Sequence, residues 1–357
     1  MMSMINAAFG NANQVQQNLA GILAYIMEFL TVNARPILQV LILPGLAFTL
    51  LFAVFAVWFE RKFLARAMLR VGPYYCGGRS GILQVFADFI KLFLKEIIIP
   101  SDVNWILFAL SPVMVSAVPG LALVLIPFDA NWIMWDIGSL GLPMFLAIMG
   151  IAPLMPVFAG WVSNNKYSLI GSWRVAYMYI SGEIPLVISA AAVAIMAGSF
   201  NLVDIVESQK NMWFAIPQFI GFIVFFLGVL IESERTPFDI PVAEVELVFG
   251  WRTEFSGILF GFTMMAEYVM LQAWTLLFIT LYLGGYNGPI IMGSIIGSHI
   301  FWLLTKFLIL VIFIVLLRCV FPRPRMDQML KIGWNYLTPI ALLNLFLVLA
   351  MKVWGVV

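Results

Sequence analysis

Residues 231–257 read "IESERTPFDIPVAEVELVFGWRTEFSG", between apolar runs at roughly 213–231 and 256–283. The stretch holds Glu232, Glu234, Asp239, Glu244, Glu246 and Glu254, a third of the 18 acidic residues. Pro237 and Pro241 rule out one continuous helix through its first half, so Glu232 to Asp239 is expected to be loop or broken helix. Phe238, Ile240, Val242, Val245, Leu247, Val248, Phe249 and Trp251 are interleaved among the acids. A solvated acidic loop would not carry them, so the segment is expected to pack into protein. Carboxylates held close together repel, and burial raises their pKa values further. Groups tuned in this way can take up and release protons near neutral pH.

The flanking apolar runs are two of many. Of the 357 residues, 63% are hydrophobic and 10% charged, with a mean hydropathy of +1.03. Soluble domains carry about 25% charged residues. Runs of about 20 apolar residues mark transmembrane helices. Eight are expected, at roughly 37–59, 105–127, 143–162, 173–199, 213–231, 256–283, 298–320 and 336–355. A shorter piece, 21–34, contains Glu28 and is too short to cross; it is read as an extra N-terminal helix. The expected class is an all-α polytopic membrane protein, with about eight transmembrane helices and an interfacial amphipathic helix. The chain is read as one membrane domain. It comprises an N-terminal tail and short helix (1–36), a cytoplasmic connection with the amphipathic helix (61–104), and the acidic cytoplasmic loop (232–255).

Fifteen of the 19 basic residues fall in the connections after spans one, three, five and seven. The positive-inside rule places those connections in the cytoplasm and both termini outside. The first 20 residues hold no Lys or Arg, so no signal-peptide n-region is read there. In "ILQVFADFIKLFLK" (82–95), Gln84, Asp88, Lys91 and Lys95 form one polar stripe on an otherwise apolar helix too short to span. It is expected to lie along the interface with that stripe toward water or a partner. A surface helix with no further task is the plainer reading.

Charge inside a membrane costs about 2.5 kcal/mol or more on insertion scales, so buried carboxylates are functional candidates. Glu183 precedes Pro185 in "YISGEIPLV" (179–187), where Gly182 and the proline are expected to loosen the turn. Glu267 lies near the middle of span six. The competing reading is a structural ion pair, with Lys306 of span seven as partner. His299 is read as an ordinary hydrogen-bonding histidine. Cys76 and Cys319 form no CxxC pattern, so no disulfide framework, zinc site or Fe–S site is encoded. No metal or flavin is expected in this chain, and no basic patch with interleaved aromatics suggests nucleic acid.

These motifs carry a resemblance. "ERTPFDIPVAEVELVFGWRTEFSG" (234–257) and "AEY" (266–268) resemble the hallmark loop of one membrane-subunit family of proton-pumping NADH:quinone oxidoreductase, respiratory complex I. This is the H-subunit (subunit 1) family, including its methanogen and archaeal relatives. The family pattern is close to E-x-N-R-x-P-F-D-x-x-E-x-E-x-E-L-V-x-G-x-x-x-E-Y-S-G. "FERKFLAR" (59–66), "RVGPYYCGGRSGILQVFADFIKLFLKE" (70–96), "GWVSNNKYSLIGSWR" (160–174), "SGEIP" (181–185) and "RCVFPRPRMDQMLKIGWNYLTP" (318–339) are similar to further family segments, in unbroken order from about 37 to 350.

The resemblance implies eight spans, an outward N-terminus and a quinone tunnel shared with soluble subunits, one carrying the terminal Fe–S cluster. It places Glu60, Arg61, Arg70, Asp88 and Lys91 in the quinone tunnel region. It places Glu183, Glu232, Asp239, Glu244, Glu246, Glu254 and Glu267 in an acidic proton-coupling set, with Arg235 and Lys306. Implied partners are the soluble Fe–S and quinone-site subunits, small membrane subunits, antiporter-like pump subunits and membrane lipids. The implied carrier is a quinone: ubiquinone, menaquinone or another. The chain departs from the pattern at Tyr74, Val85, Gly182 and Val242, the last removing a family carboxylate, while Glu234 stands where the family has Asn. Three other readings remain: the equivalent subunit of a membrane-bound hydrogenase, that of a methanogen dehydrogenase reducing a phenazine, and a non-catalytic membrane anchor. A stand-alone transporter is disfavoured, since no inverted repeat is visible.

Overall fold

A computed structural model describes residues 45–130, 132–240, 248–289 and 295–354. The chain divides into two compact units, Met1–Phe48 and Thr49–Val357. Only residues 45–48 of the first are described, so the account below concerns the second. Glu28, Glu244 and Glu246 lie outside the described residues.

Among the described residues the protein is all helical, with no strand. The helices are α1 (Leu46–Ala67), α2 (Leu83–Leu94), α3 (Trp105–Leu123), α4 (Gly141–Met149), α5 (Leu154–Val162), α6 (Lys166–Ala197), α7 (Leu202–Ser208), α8 (Phe219–Glu232), α9 (Gly257–Tyr282), α10 (Ile295–Val320), α11 (Met326–Lys331) and α12 (Thr338–Val353). Six segments are long and apolar enough to cross a membrane; Gly138–Val162 counts as one, with turns at 150–153, and so does Met326–Val353, joined by a π-helical turn. The other two expected spans fall on the shorter apolar α8 and the 22-residue α1, which are not among these six. This is a multi-pass membrane protein.

Span boundaries differ from expectation where polar residues find partners. α1 continues beyond the expected end at 59, through Glu60 and Arg61, because both are paired within the protein. α6 begins at Lys166, seven residues before the expected 173, because Asn165 caps it by accepting from the Tyr167 amide. It also runs unbroken through Pro185. Gly182 serves a different end from the loosening expected of it. A Cβ there would lie 2.6 Å from Ile231 Cγ2, so the glycine permits α6 and α8 to approach closely.

α9 is the central helix, buried over almost its whole length. Phe225 of α8 packs against Trp274, Phe278 and Tyr282 of α9, which supplies large aromatic area without charge. The connection after α1 folds back on that helix: Lys62 Nζ donates to Pro73 O at 2.8 Å and Trp58 Nε1 to Ser80 O at 2.9 Å. Gly81, at φ +66°, sits so close to Pro73 that a Cβ would be 2.2 Å from its carbonyl oxygen.

α2 divides its polar stripe. Asp88 turns inward to Arg61 of α1, and Gln84 Nε2 donates to Asp88 at 3.2 Å. Lys91 and Lys95 of the stripe are exposed, and so are Phe86, Phe89, Ile90 and Phe93. This amphipathic helix therefore exposes apolar side chains together with its two lysines, and directs Asp88 to α1.

Candidate functional site: a charged cavity

The acidic stretch ends α8 and turns at once. Residues 233–240 form a tight loop in which Ser233, Glu234, Arg235, Thr236, Phe238 and Ile240 are buried. Beyond residue 247, a 3₁₀ turn, Gly250–Arg252, leads into α9. Buried backbone and side-chain polar groups need partners, and this loop finds many of them on other elements, while Arg235 Nε and Nη2 and Thr236 Oγ1 have none.

Glu60 of α1 is one centre. Arg235 Nη1 donates to its two oxygens at 2.8 and 3.1 Å, Tyr268 Oη of α9 donates at 2.9 Å, and Arg318 of α10 also donates. The Arg235 guanidinium stacks over the Tyr268 ring, 4.5 Å from its centre. Burial works to lower the Arg235 pKa, but Glu60 beside it outweighs this and holds the arginine above its ordinary value.

Arg252 is the second centre. It donates to Glu267 of α9 and, through Nη2 at 3.2 Å, to Glu234, whose other oxygen accepts from Tyr179 Oη at 2.8 Å. Burial pushes the Glu234 carboxyl up to about 7, against the opposing charge of Arg252. Further out, Arg323 Nη2 donates to Asp239 at 2.7 Å, yet burial outweighs that contact and leaves Asp239 above the usual carboxylate range. Asp88 goes the other way. Its partial burial is outweighed by the Arg61 guanidinium, which holds it low.

These groups line one cavity of about 1080 Å³. Glu60, Arg61, Arg70, Asp88 and Lys91 all face it, as do Arg235, Asp239 and Glu267. Its remaining wall is largely apolar, including Val54, Leu64, Phe260, Met264 and Met265. A large apolar pocket with a few convergent polar groups is the usual form of a small-molecule site. The chemistry suits a molecule with an apolar body and a head that exchanges protons or accepts hydrogen bonds.

The other expected residues lie elsewhere. Glu254 accepts from Asn165 at the start of α6. Glu232 is buried, and its Oε1 has no hydrogen-bond partner. Glu183 packs against Gly150, where a Cβ would come within 2.8 Å of its Oε1. Lys306 does not pair with Glu183 or Glu267. Its ammonium instead donates to the carbonyls of Leu283, Gly285 and Asn287 at 2.8–2.9 Å. His299 contacts Asp129 at 2.6 Å.

Sequence reasoning missed Arg252, Tyr268, Arg318, Arg323, Tyr179 and the pairing role of Glu234. The first two had a signal, since Arg252 lies inside the acidic stretch and Tyr268 follows Glu267. Arg318 and Arg323 count in the sequence only toward sidedness.

The family described as NADH dehydrogenase matches residues 39–349, which include every described side chain of this cavity. The chain belongs to the NADH dehydrogenase family. Curated relatives from Bacillus thuringiensis (strain Al Hakam), Bacillus cereus (strain AH187) and Bacillus anthracis (strain CDC 684 / NRRL 3495) are each 44% identical over 313 residues, 86% of this chain and 93% of theirs. Each is named as the H subunit of NADH-quinone oxidoreductase. The NADH dehydrogenase family match thus spans the helices, the acidic loop and the interfacial helix together.

Proposed function

We propose that this chain is the membrane subunit of an NADH-quinone oxidoreductase that receives the quinone head in its cytoplasmic cavity and couples quinone reduction to proton translocation. The observation that carries this reading is the cavity itself. Residues from α1, α2, the acidic loop, α9 and α10 converge on one apolar space of about 1080 Å³ with a charged end. The names of the Bacillus relatives support the quinone and the redox partners.

Glu60, Arg61, Arg70, Asp88 and Lys91 would meet the head and the mouth of its path. Electrons would arrive from a soluble partner's Fe–S cluster on the cytoplasmic side, so this chain holds no complete active site. Reduction creates a demand for protons in a space poor in water. Glu60 and Glu267, each already bonded to an arginine of the same loop region, would sense that demand through Arg235 and Arg252. Glu232, Glu183, Glu244, Glu246 and Glu254 would pass the change on toward antiporter-like subunits. Odd-numbered connections would face the cytoplasm and both termini the outside, in a cell membrane.

Photolabelling the assembled complex with an azido-quinone tests the site. Label is expected in peptides 50–92 and 249–268, and excess quinone should compete it away. Met264→Trp should block quinone reduction by filling the cavity. Label placed elsewhere, together with full activity of Met264→Trp, would end the reading. Competition by a phenazine in place of quinone would reassign the carrier.

A further inference from the structure

Glu234 stands where the family pattern has a neutral Asn, so this chain buries an extra carboxyl. The residue is 6% exposed and adopts φ +50°, in the left-handed region that a non-glycine residue occupies at a cost. Its carboxyl shares the Arg252 guanidinium with Glu267 and accepts from Tyr179. A second, small cavity of about 20 Å³ adjoins these groups, lined among others by Tyr179, Glu234, Trp251, Arg252 and Glu267. Glu234, Arg252 and Glu267 line both this space and the large cavity. Trp251 Nε1 and Arg252 Nε belong to residues 1% and 2% exposed, and neither has a hydrogen-bond partner. A space of that size holds about one water, and a buried water requires two to four polar partners. The residues that carry the two orphaned donors line this space together with two carboxyl-bearing residues, Glu234 and Glu267.

We propose that Glu234 is a proton-carrying residue of this chain, exchanging a proton with Glu267 through one water held in the small cavity, while Tyr179 positions its carboxyl. The proton leaves the Glu234 carboxyl, the water takes it and releases another, and the Glu267 carboxylate becomes a carboxyl. One O–H bond breaks at each donor as one forms at each acceptor. Arg252 keeps its charge throughout. The triad of Arg252, one carboxylate and one carboxyl is neutral before and after, so the transfer creates no net charge in a low-dielectric site. Two carboxylates on one guanidinium would instead leave a buried surplus charge, and such pairs retain a shared proton.

The titratable groups facing Glu234 are Tyr179 on α6, Glu232 at the end of α8, Asp239 in the loop, Arg252 in the 3₁₀ turn and Glu267 on α9. Burial against these neighbours brings Glu234 near neutrality, as the transfer requires. A purely structural Glu234–Arg252 pair would need neither the second carboxyl nor the orphaned donors beside a water-sized space.

The proposal rests on the coupling reading above, and its test separates the two. Sealed vesicles of the assembled complex would be assayed for quinone reduction and proton translocation across the neutral pH range, as wild type, Glu234→Gln, Glu234→Asp and Tyr179→Phe. Glu234→Gln is expected to lower proton translocation by about tenfold or more and to lose the step in the pH profile near neutrality. Glu234→Asp should retain the step with a moved midpoint, and Tyr179→Phe should move the midpoint without removing it. A wild-type pH profile in Glu234→Gln overturns the proposal. If Glu234→Gln does not assemble, unchanged midpoints in both Glu234→Asp and Tyr179→Phe overturn it equally. A wild-type complex that reduces quinone without moving protons ends the coupling reading instead.

Discussion

Arg252 shows how much one side chain organises. It is buried, stacks on Trp251 at 4.8 Å and donates to carboxyl groups from two different elements. Removing one partner of a buried ionic cluster leaves the remainder uncompensated, at a cost of about 3–5 kcal/mol. Arg252→Leu should therefore destabilise the protein by that order, read as a lowered thermal transition in detergent. Adding Glu267→Gln should recover part of the loss, because one unpaired charge is then gone. Glu234 also gives a pH dependence with a definite sign. Its folded value near 7 lies above the ordinary 4.5, so the folded state binds the proton more tightly. Its contribution to stability is thus fully present below about 4.5 and is lost as pH rises toward about 7. Unfolding midpoints measured through that window should fall more for wild type than for Glu234→Gln. None of this pairing was legible in the sequence. Hydropathy marks Lys306 as an obvious counter-charge for Glu267, yet ion pairs follow tertiary proximity, and Arg252 is the nearer cation.

The helices were legible for a plain reason: a run of about 20 apolar residues is a compositional fact that tertiary structure does not alter. Their ends were not, since Glu60, Arg61 and Lys62 depress hydropathy in α1 although the helix continues through them. After Glu232, the last residue of α8, the acidic stretch is loop from 233 to 240, because Pro237 sits there whatever packs around it. Close contacts between elements were invisible, and Gly171 of α6 illustrates the point. A Cβ at this position would lie 2.7 Å from the Gly250 backbone and 2.8 Å from Trp251 N. Backbone cannot swing aside as a side chain can. Gly171→Ala should push the turn carrying Arg252 off α6, costing about 1–3 kcal/mol. Quinone reduction should fall with it, measured in membranes where assembly is scored by blotting.

At the scale of the whole molecule, the sidedness expected from the basic residues is open to a direct test. Cys76 lies in the connection before α2 and is half-buried. In a Cys319→Ser background, a membrane-impermeant maleimide should label Cys76 in inverted vesicles and spare it in right-side-out ones. The opposite pattern would reverse the assigned orientation. Far from the cavity, Lys306 lies about 18 Å along α10 from Arg318, at 1.5 Å per residue. Three carbonyl oxygens from the segment after α9 converge on its ammonium, with the Trp213 ring 5.2 Å away. That arrangement is the coordination shell of an alkali ion in which the ion is covalently tethered to a neighbouring helix. The segment therefore keeps its shape whatever the sodium or potassium outside, and a neutral side chain at this position would make it depend on the salt in the medium.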